Sequence, residues 1–320
     1  MKAWLRLFGL VCCALGVSQA LAQTWPTGRV TFVVGFAAGG STDIAARIIA
    51  QQLAVKLGQP VVVDNRPGVS GVVANSYIAS AKPDGHIFLF GSGSLASGPS
   101  LLKSLPYDTA ADFVPISQLT TIPTILTVHP SVPARNVREF VEYVKANPGT
   151  VNYGSAGPGS LQHVAGALFA NMTGGSMVHI PYKGGAPAIA DLVAGRIQVI
   201  FGPIVELMPF VKSGAVRVLG VTSQQRAAAF PEAPPVSDAV PGFEISTWHG
   251  IFAPKGTSPE VVEAMNRAIV SVLGDPVTKA RLIGLGLDPV GTSSQEFSKF
   301  FRDEIQRWKE LIQTAGAKPE

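Results

Sequence analysis

Residues 30–43 read VTFVVGFAAGGSTD: a run of β-branched and aromatic residues, then a glycine-rich turn, then Ser41, Thr42 and Asp43. The apolar helical pattern IAARII follows at residues 44–49. A strand that passes through a turn into a helix is the repeating unit of α/β folds. The same arrangement returns at residues 151–160, VNYGSAGPGS, ahead of a second helical pattern that begins at Leu161.

Both turns have the chemistry of an anion site. Glycine lets the backbone approach a ligand closely, and the first N–H groups of a helix have no partner within that helix. These groups, with the partial positive charge at a helix N-terminus, favour a bound phosphate or carboxylate. One such turn is a weak signal. Two turns about 120 residues apart predict two lobes that hold one anionic ligand between them.

The N-terminus has the three parts of a secretory signal peptide. Lys2 and Arg6 form the basic part, an apolar stretch covers residues 7–17, and Ala20-Leu21-Ala22 has the small-x-small form of a cleavage site. The apolar stretch is too short to span a membrane. We therefore expect cleavage after Ala22 and a mature protein, residues 23–320, that works in the periplasm.

Cysteine content and charge narrow the class of protein. Cys12 and Cys13, the only two cysteines, lie in the leader, so we expect a mature chain without disulfides. About 300 residues bury a sizeable core without them. The net charge falls from +4 to +2 when Lys2 and Arg6 leave with a leader that contains no acid. Such a balanced charge argues against nucleic-acid binding.

Short β-branched runs alternate with helical patterns, which predicts an α/β fold with two mainly parallel sheets flanked by helices. The predicted strands cover residues 30–34, 61–64, 87–90, 125–128, 151–153, 177–180, 199–201, 216–221 and 250–253. The predicted helices cover residues 44–57, 72–81, 137–146, 161–172, 186–194 and 258–273. A last helix follows the capping box Ser293-x-x-Glu296, and its apolar stripe is expected to pack in the core.

The domain organisation is predicted from the two turns and from extended segments at residues 119–128 and 244–248, which fit as crossings between lobes. We expect one lobe from residues 23–123 plus 248–320 and a second from residues 124–247. Ligands of open α/β sheets bind at the carboxyl ends of the strands, where both glycine turns lie. The cleft between two such lobes can close by hinge bending.

Signatures of catalysis are missing from the sequence. It has no G-x-S-x-G nucleophile motif, no phosphate-binding P-loop and no H-E-x-x-H motif, and the five histidines are dispersed. We therefore expect neither an enzyme nor a bound cofactor or metal. A secreted hydrolase that pairs Ser155 or Ser41 with a histidine is the main alternative, and it predicts covalent labelling or turnover.

Several polar residues at the turns have both a structural and a ligand-binding interpretation. Asp43 fits best as a brace for the 39–42 loop, because a carboxylate there would repel an anion. Thr42 and Ser160 serve as helix caps or as ligand contacts. Ser155 lies on the glycine turn itself, which favours contact, whereas His163, one turn into its helix, more often packs or faces solvent.

Arg66 and two aromatic residues near the expected cleft also have both a structural and a ligand-binding interpretation. Arg66, beside the Pro67-Gly68 turn, is interpreted as a structural residue. Tyr182, on a strand-to-helix turn, and Trp248, at an expected crossing, either wall the cleft or pack elsewhere. Together with Phe36 they would sandwich an apolar or aromatic part of a ligand.

Taken in order along the chain, these segments resemble the extracytoplasmic solute receptors of the tripartite tricarboxylate transporter family, also called Bug proteins. The resemblance spans essentially the whole mature chain. It rests on Phe36–Asp43, Asp64–Gly68, Lys82–Gly85, Leu105–Asp108 with Asp112-Phe113, Asn147–Gly149, His179–Gly184 and Phe252–Gly256.

The resemblance implies a two-lobed periplasmic binding protein of the type II kind, which captures a small carboxylate, aliphatic or aromatic, and delivers it to membrane permease subunits. A monomer without nucleic-acid partners is expected. In this family both glycine turns hold ligand carboxylates, largely through backbone N–H groups and ordered water. The resulting candidates for ligand contact are Phe36, Ala38, Gly39, Thr42, Asp43, Ser92, Ser155, Gly157, Ser160, His163, Tyr182, Thr247 and Trp248.

The chain departs from the family pattern at two places. Gly202-Pro203 stands where members often have an Asp after the strand at residues 199–201, and Gly71-Val72 stands where a second glycine is common. Without a carboxylate in the cleft, a ligand ammonium group would have no charged partner. The sequence therefore predicts that the ligand is not an amino acid. A receptor that signals to a membrane sensor instead of a permease is the second alternative.

Overall fold

The structure, a computed structural model, describes residues 25–122, 124–227 and 230–316. The predicted signal peptide lies outside these residues. The chain forms two β-sheets with helices packed on them. The strands are β1 Val30–Val34, β2 Val61–Asn65, β3 Ile87–Ser92, β4 Phe113–Ile122, β5 Thr124–Val128, β6 Val151–Ser155, β7 Met177–Pro181, β8 Val199–Pro203, β9 Arg217–Val221, β10 Thr247–Pro254 and β11 Asp288–Pro289.

Ten α-helices lie in the described part of the chain. They are α1 Ser41–Leu57, α2 Val72–Ala79, α3 Gly93–Leu101, α4 Val137–Ala146, α5 Leu161–Thr173, α6 Gly185–Val193, α7 Ile204–Lys212, α8 Pro259–Gly274, α9 Pro276–Ile283 and α10 Ser294–Ala315. Within residues 25–122, 124–227 and 230–316, no helix is both long and apolar enough to cross a membrane.

The first sheet has six strands in the order β11-β4-β10-β3-β1-β2, and the second has five in the order β7-β6-β8-β5-β9. Strand β1 pairs in parallel with β2 and β3, and β6 pairs in parallel with β7 and β8. Strands β10 and β5 pair only antiparallel with their neighbours in the sheets. Both sheets are therefore mixed.

The predicted fold class, α/β with two sheets flanked by helices, is confirmed. The expectation that the sheets are mainly parallel holds only for the halves around β1 and β6. The segment predicted as a crossing at residues 119–128 contains the end of β4 and all of β5, which belong to different sheets. The second predicted crossing runs into β10. The lobe boundaries themselves stay a prediction.

The core has a continuous part that involves both sheets. Helix α10 packs against α3 beside the first sheet and against α5 beside the second. Its apolar stripe is buried, as predicted, at Phe297, Phe301, Trp308 and Ile312. Because one helix contributes to the packing of both sheets, its side chains stabilise their mutual arrangement.

Candidate functional site

A cavity of about 40 Å³ lies where the two sheets meet, with room for roughly three water molecules. It is formed by residues at or after the carboxyl ends of β1, β3, β4, β6, β7 and β8 and by the start of β10, in agreement with the expected position at strand ends. Its lining is Phe36, Gly40, Ser41, Thr42, Ser92, Ser94, Ile122, Ala156, Ser160, Leu161, Gln162, Gly185, Pro203, Glu206, Thr247 and His249.

Helix N-termini converge on this cavity. Helices α1, α5 and α6 each begin among its lining residues, at Ser41, Leu161 and Gly185. The N–H groups of a first turn have no carbonyl partner within the helix, so those of Thr42 and Leu161 remain donors at the cavity. Three positive helix ends make the cavity attractive to an anion. No lysine or arginine is found among the described residues that line it.

Asp43 braces the first glycine turn. Its Oδ2 accepts a hydrogen bond from the Gly39 N–H at 3.0 Å, its Oδ1 accepts from the Asn65 amide at 3.0 Å, and Arg47 pairs with both oxygens. Burial alone would raise the pKa of Asp43, but Arg47, Gly39 and Asn65 outweigh it and hold the pKa below its usual value. Asp43 therefore stays ionised and shapes the loop, the role that the sequence favoured.

The second glycine turn is braced by hydroxyl and imidazole groups. Ser155, fully buried, accepts a hydrogen bond from the Gly157 N–H at 3.0 Å and contacts His179 Nε2 at 2.6 Å. The Ser160 hydroxyl caps α5, and His163 Nδ1 accepts from the Gly159 N–H at 3.2 Å. The His163 and His179 rings stack with centroids 4.0 Å apart. These bonds fix the loop that presents the N-terminus of α5.

Glu206 is the one carboxylate among the described residues that line the cavity. It lies in the first turn of α7, is 8% exposed, and its Oε1 accepts a hydrogen bond from the Ser41 N–H at 2.5 Å. Thus a side chain beside the second sheet caps a helix beside the first. Burial raises the pKa of Glu206, while the bond from Ser41 acts in the opposite direction.

The presence of Glu206 corrects one premise of the sequence analysis. Gly202-Pro203 was expected to leave the cleft without a carboxylate, yet Glu206 supplies one three residues further on. The sequence signal was present, since Pro203 directly precedes a helix whose first turn contains the acid. The helix itself was not predicted, because an internal proline, here Pro209, is unfavourable in a helix. The prediction that the ligand is not an amino acid therefore loses its support.

His249 is the second titratable side chain in the lining. It is fully buried on β10, its Nδ1 lies 3.1 Å from the Thr120 hydroxyl, and its ring packs on Phe90 at 5.5 Å between centroids. Burial lowers the pKa of His249 to about 3. The imidazole is therefore neutral across the physiological range and contributes no positive charge to the cavity.

The buried His249 makes stability depend on pH. The unfolded state takes up a proton below the ordinary histidine pKa of 6.5, whereas the folded state does so only near 3, so stability is complete above pH 6.5 and is lost as the pH falls. Between pH 7 and 4.5 we expect His249 to cost about 2 kcal/mol of unfolding free energy. Denaturant titrations of wild type and His249→Gln should show a shallower loss in the variant, and equal pH slopes would contradict this.

The structure brings together five of the predicted contact residues in the cavity lining: Phe36, Thr42, Ser92, Ser160 and Thr247. Ala38 and Gly39 are exposed. Asp43, Ser155 and His163 each accept a hydrogen bond from a backbone N–H of a glycine turn and do not line the cavity. Gly157 and Tyr182 line a separate groove with Ser70. Whether any of these residues contacts a ligand stays a prediction.

Trp248 and Tyr182, both considered for the cleft wall, do not line the cavity. Trp248 is 2% exposed and packs among Phe252, Phe297 and Phe301, and its indole N–H donates to Glu304 Oε2 at 2.7 Å. The Tyr182 hydroxyl donates to Asp191 at 2.7 Å. Of the three rings considered for a sandwich around the ligand, only Phe36 lines the cavity, so this structure does not bring them together around one space.

Trp248→Phe tests this placement. The substitution removes the hydrogen bond to Glu304, a buried carboxylate, and we expect a loss of about 1.5–3 kcal/mol in unfolding free energy. The dissociation constant of a bound ligand should change less than about twofold. A large loss of affinity at unchanged stability would place Trp248 in the binding site instead.

The family model described as "Tripartite tricarboxylate transporter family receptor" matches residues 45–317. The chain belongs to this family. The receptor is 34% identical to Protein BugT of Bordetella pertussis over 322 residues, which cover 99% of each chain. The resemblance drawn from the sequence is thereby confirmed, and the chain is a periplasmic solute receptor of this family.

Two solved structures show the same fold with bound ligands. Rpa4515 of R. palustris with adipate is 36% identical, with a TM-score of 0.90 and coverage of 92% of this chain and 100% of that one. MatC (Rpa3494) from Rhodopseudomonas palustris with bound malate is 31% identical, with a TM-score of 0.86 and coverage of 90% and 100%. Both ligands are small dicarboxylates.

Membership of this receptor family confirms that the protein is not an enzyme. The serine–histidine pair of the rival hypothesis does exist, at Ser155 and His179. However, the Ser155 side chain is fully buried and does not line the cavity. Burial also lowers the pKa of His179 to about 4, which makes it a poor base at neutral pH.

Proposed function

We propose that the receptor captures a small organic carboxylate between two lobes and delivers it to the permease subunits of a tripartite tricarboxylate-type transporter. The observation that carries this proposal is the convergence of the N-termini of α1 and α5, one from each glycine turn, on one cavity. One carboxylate group would bind the first turn of α1, and the opposite end of the ligand would bind the first turn of α5.

Backbone donors fit a ligand of this class. The lining contains no cationic side chain among the described residues, so the N–H groups and hydroxyls must neutralise the ligand charge. Charge-assisted hydrogen bonds contribute roughly 1.5–3 kcal/mol each. Four to six of them support about micromolar binding after association costs of about 4–15 kcal/mol. The adipate and malate bound by the two solved relatives are of the same chemical class.

Binding requires the lobes to move. The Ser97 hydroxyl beside the first sheet donates to the Gly159 carbonyl beside the second at 2.5 Å, and Gly184 lies against Ala37. These contacts join residues that neighbour the lining on opposite sides of the cavity. The lobes therefore part to admit the ligand and close again on it, and the closed surface docks on the permease. Secretion with cleavage after Ala22 and function as a monomer complete the proposal.

A thermal-shift screen of residues 23–320 tests the proposed function. The panel contains aliphatic di- and tricarboxylates, aromatic carboxylates, sugars and simple amines. A ligand at 100 times its dissociation constant adds about 2.7 kcal/mol of stability, and we expect this only for carboxylates. Stabilisation by a sugar or an amine, and by no carboxylate, would contradict the proposal.

A further inference from the structure

We propose that Glu206 is a specificity-determining residue that binds a hydrogen-bond donor on the ligand, so that the receptor prefers a small carboxylate that also carries an ammonium or a hydroxyl group. This inference rests on the proposed function and adds to it the ligand feature that the cavity selects. The supporting observation is that only one of the two oxygens of this buried carboxylate accepts a hydrogen bond from the described residues.

The two oxygens of Glu206 differ in their surroundings. Oε1 accepts the hydrogen bond from the Ser41 N–H. Oε2 is buried and accepts no hydrogen bond from any residue in the described part of the chain. A buried acceptor without a donor costs free energy, and the cost is larger for a charged group. A donor brought by the ligand would remove this cost, whereas a ligand without one would leave it in place.

Glycine at position 185 makes room for this carboxylate. A Cβ atom there would lie 1.9 Å from Glu206 Oε2, and one at Gly40 would lie 3.6 Å from Oε1. Both glycines are at helix starts, Gly40 as the N-cap of α1 and Gly185 as the first residue of α6. The carboxylate therefore lies between two positive helix ends, which favour its ionised form and oppose the burial that raises its pKa.

The charges around Glu206 decide what kind of ligand group can approach it. The only other titratable group among the described lining residues is His249, which is neutral and carries no compensating charge. A ligand carboxylate placed directly against Glu206 would be repelled, since like charges in a site of low dielectric constant interact strongly. An ammonium or a hydroxyl between the two carboxylates turns this repulsion into a pair of hydrogen bonds.

Dicarboxylates of equal chain length, with and without a hydrogen-bond donor, test the effect of that donor on affinity. We would measure dissociation constants by isothermal titration calorimetry at pH 7.5 for succinate, malate and aspartate, and for the five-carbon set glutarate, 2-hydroxyglutarate and glutamate. Within a set the acids differ only in a hydrogen, a hydroxyl or an ammonium at one carbon. We expect wild type to bind a donor-bearing member at least about tenfold more tightly than the plain acid. Preference for the ammonium or for the hydroxyl identifies the donor.

Glu206→Gln should remove this preference. The variant keeps the size of the side chain but loses its charge, so we expect the ratio of affinities within a set to fall at least about tenfold, while the plain acid binds as well as before or better. Glu206→Asp, which keeps the charge but withdraws it by one methylene, should give an intermediate ratio. Glu260→Gln, an equal charge change in the exposed first turn of α8, is the control and should change nothing.

The outcomes separate this inference from the proposed function. If plain acids bind wild type as tightly as their donor-bearing partners, or if Glu206→Gln changes all affinities equally, the inference is overturned and the carboxylate receptor stands. If no carboxylate binds wild type while another ligand class does, both fail. Tighter binding of the donor-bearing acids by wild type supports the inference even where a variant does not fold, and tighter binding of the plain acids overturns it.

Discussion

Leu161→Pro is expected to weaken carboxylate binding about 10- to 100-fold relative to Leu161→Ala. Leu161 is the first residue of α5 and lines the cavity. Proline is tolerated at this helical position because the missing N–H would have no partner within the helix. Ser160 before it has φ −68° and ψ 158°, which suits a residue that precedes proline. The substitution therefore removes one donor and leaves the helix intact.

The alanine variant makes the comparison specific. Both substitutions shorten the buried Leu161 side chain, so packing losses are similar in the two proteins, and only proline lacks the N–H. The loss of one charge-assisted hydrogen bond is worth about 1.5–3 kcal/mol. Calorimetric titration with the carboxylate found in the screen measures it. Equal affinities in the two variants would show that the Leu161 N–H does not hold the ligand.

Trp308→Ala is expected to cost about 3–5 kcal/mol of unfolding free energy, the usual range for the removal of a fully buried indole. Trp308 is 0% exposed on α10, its ring lies against Gly93 at the start of α3, and its N–H donates to Glu304 at 3.1 Å. Because α10 packs on helices beside both sheets, the cavity left behind lies where the two sheets are held together.

Thermal melts and denaturant titrations measure this loss. A decrease of the melting temperature on the order of 10 °C corresponds to it in a chain of this size. Val55→Ala, a large-to-small change at a residue that is 81% exposed on α1, serves as the control and should alter stability by less than about 0.5 kcal/mol. A similarly small change for Trp308→Ala would mean that α10 does not stabilise the arrangement of the sheets.

The fold was predictable where local patterns and tertiary structure agree. Strand β1 and helix α4 have the predicted bounds, because β1 is a short β-branched run that ends at a glycine turn and α4 has a clear helical periodicity after the Asn136 cap. Helix α3, with the sequence GSLASGPSL, was missed since glycine, serine and an internal proline are typical of a loop. Its burial against α10 outweighs this local preference.

The candidate site was predictable only in part for a similar reason. The two glycine turns are recognisable in the sequence by their glycine content, and both lie at the cavity. Glu206 and His249 reach it from α7 and β10, far from either turn in sequence. Trp248 shows the opposite case: a residue beside Thr247 in sequence points into the core, because successive side chains of a strand face opposite sides of the sheet.

A crystal structure of the receptor with the carboxylate from the thermal-shift screen tests the central claim most directly. We expect one ligand carboxylate within about 3.2 Å of the backbone nitrogen of Thr42. The other end of the ligand should contact the N–H groups of Leu161 or Gln162, with no lysine or arginine in contact. A ligand bound in another groove, or a carboxylate held by a cationic side chain, would contradict the proposal that two helix N-termini bind the ligand.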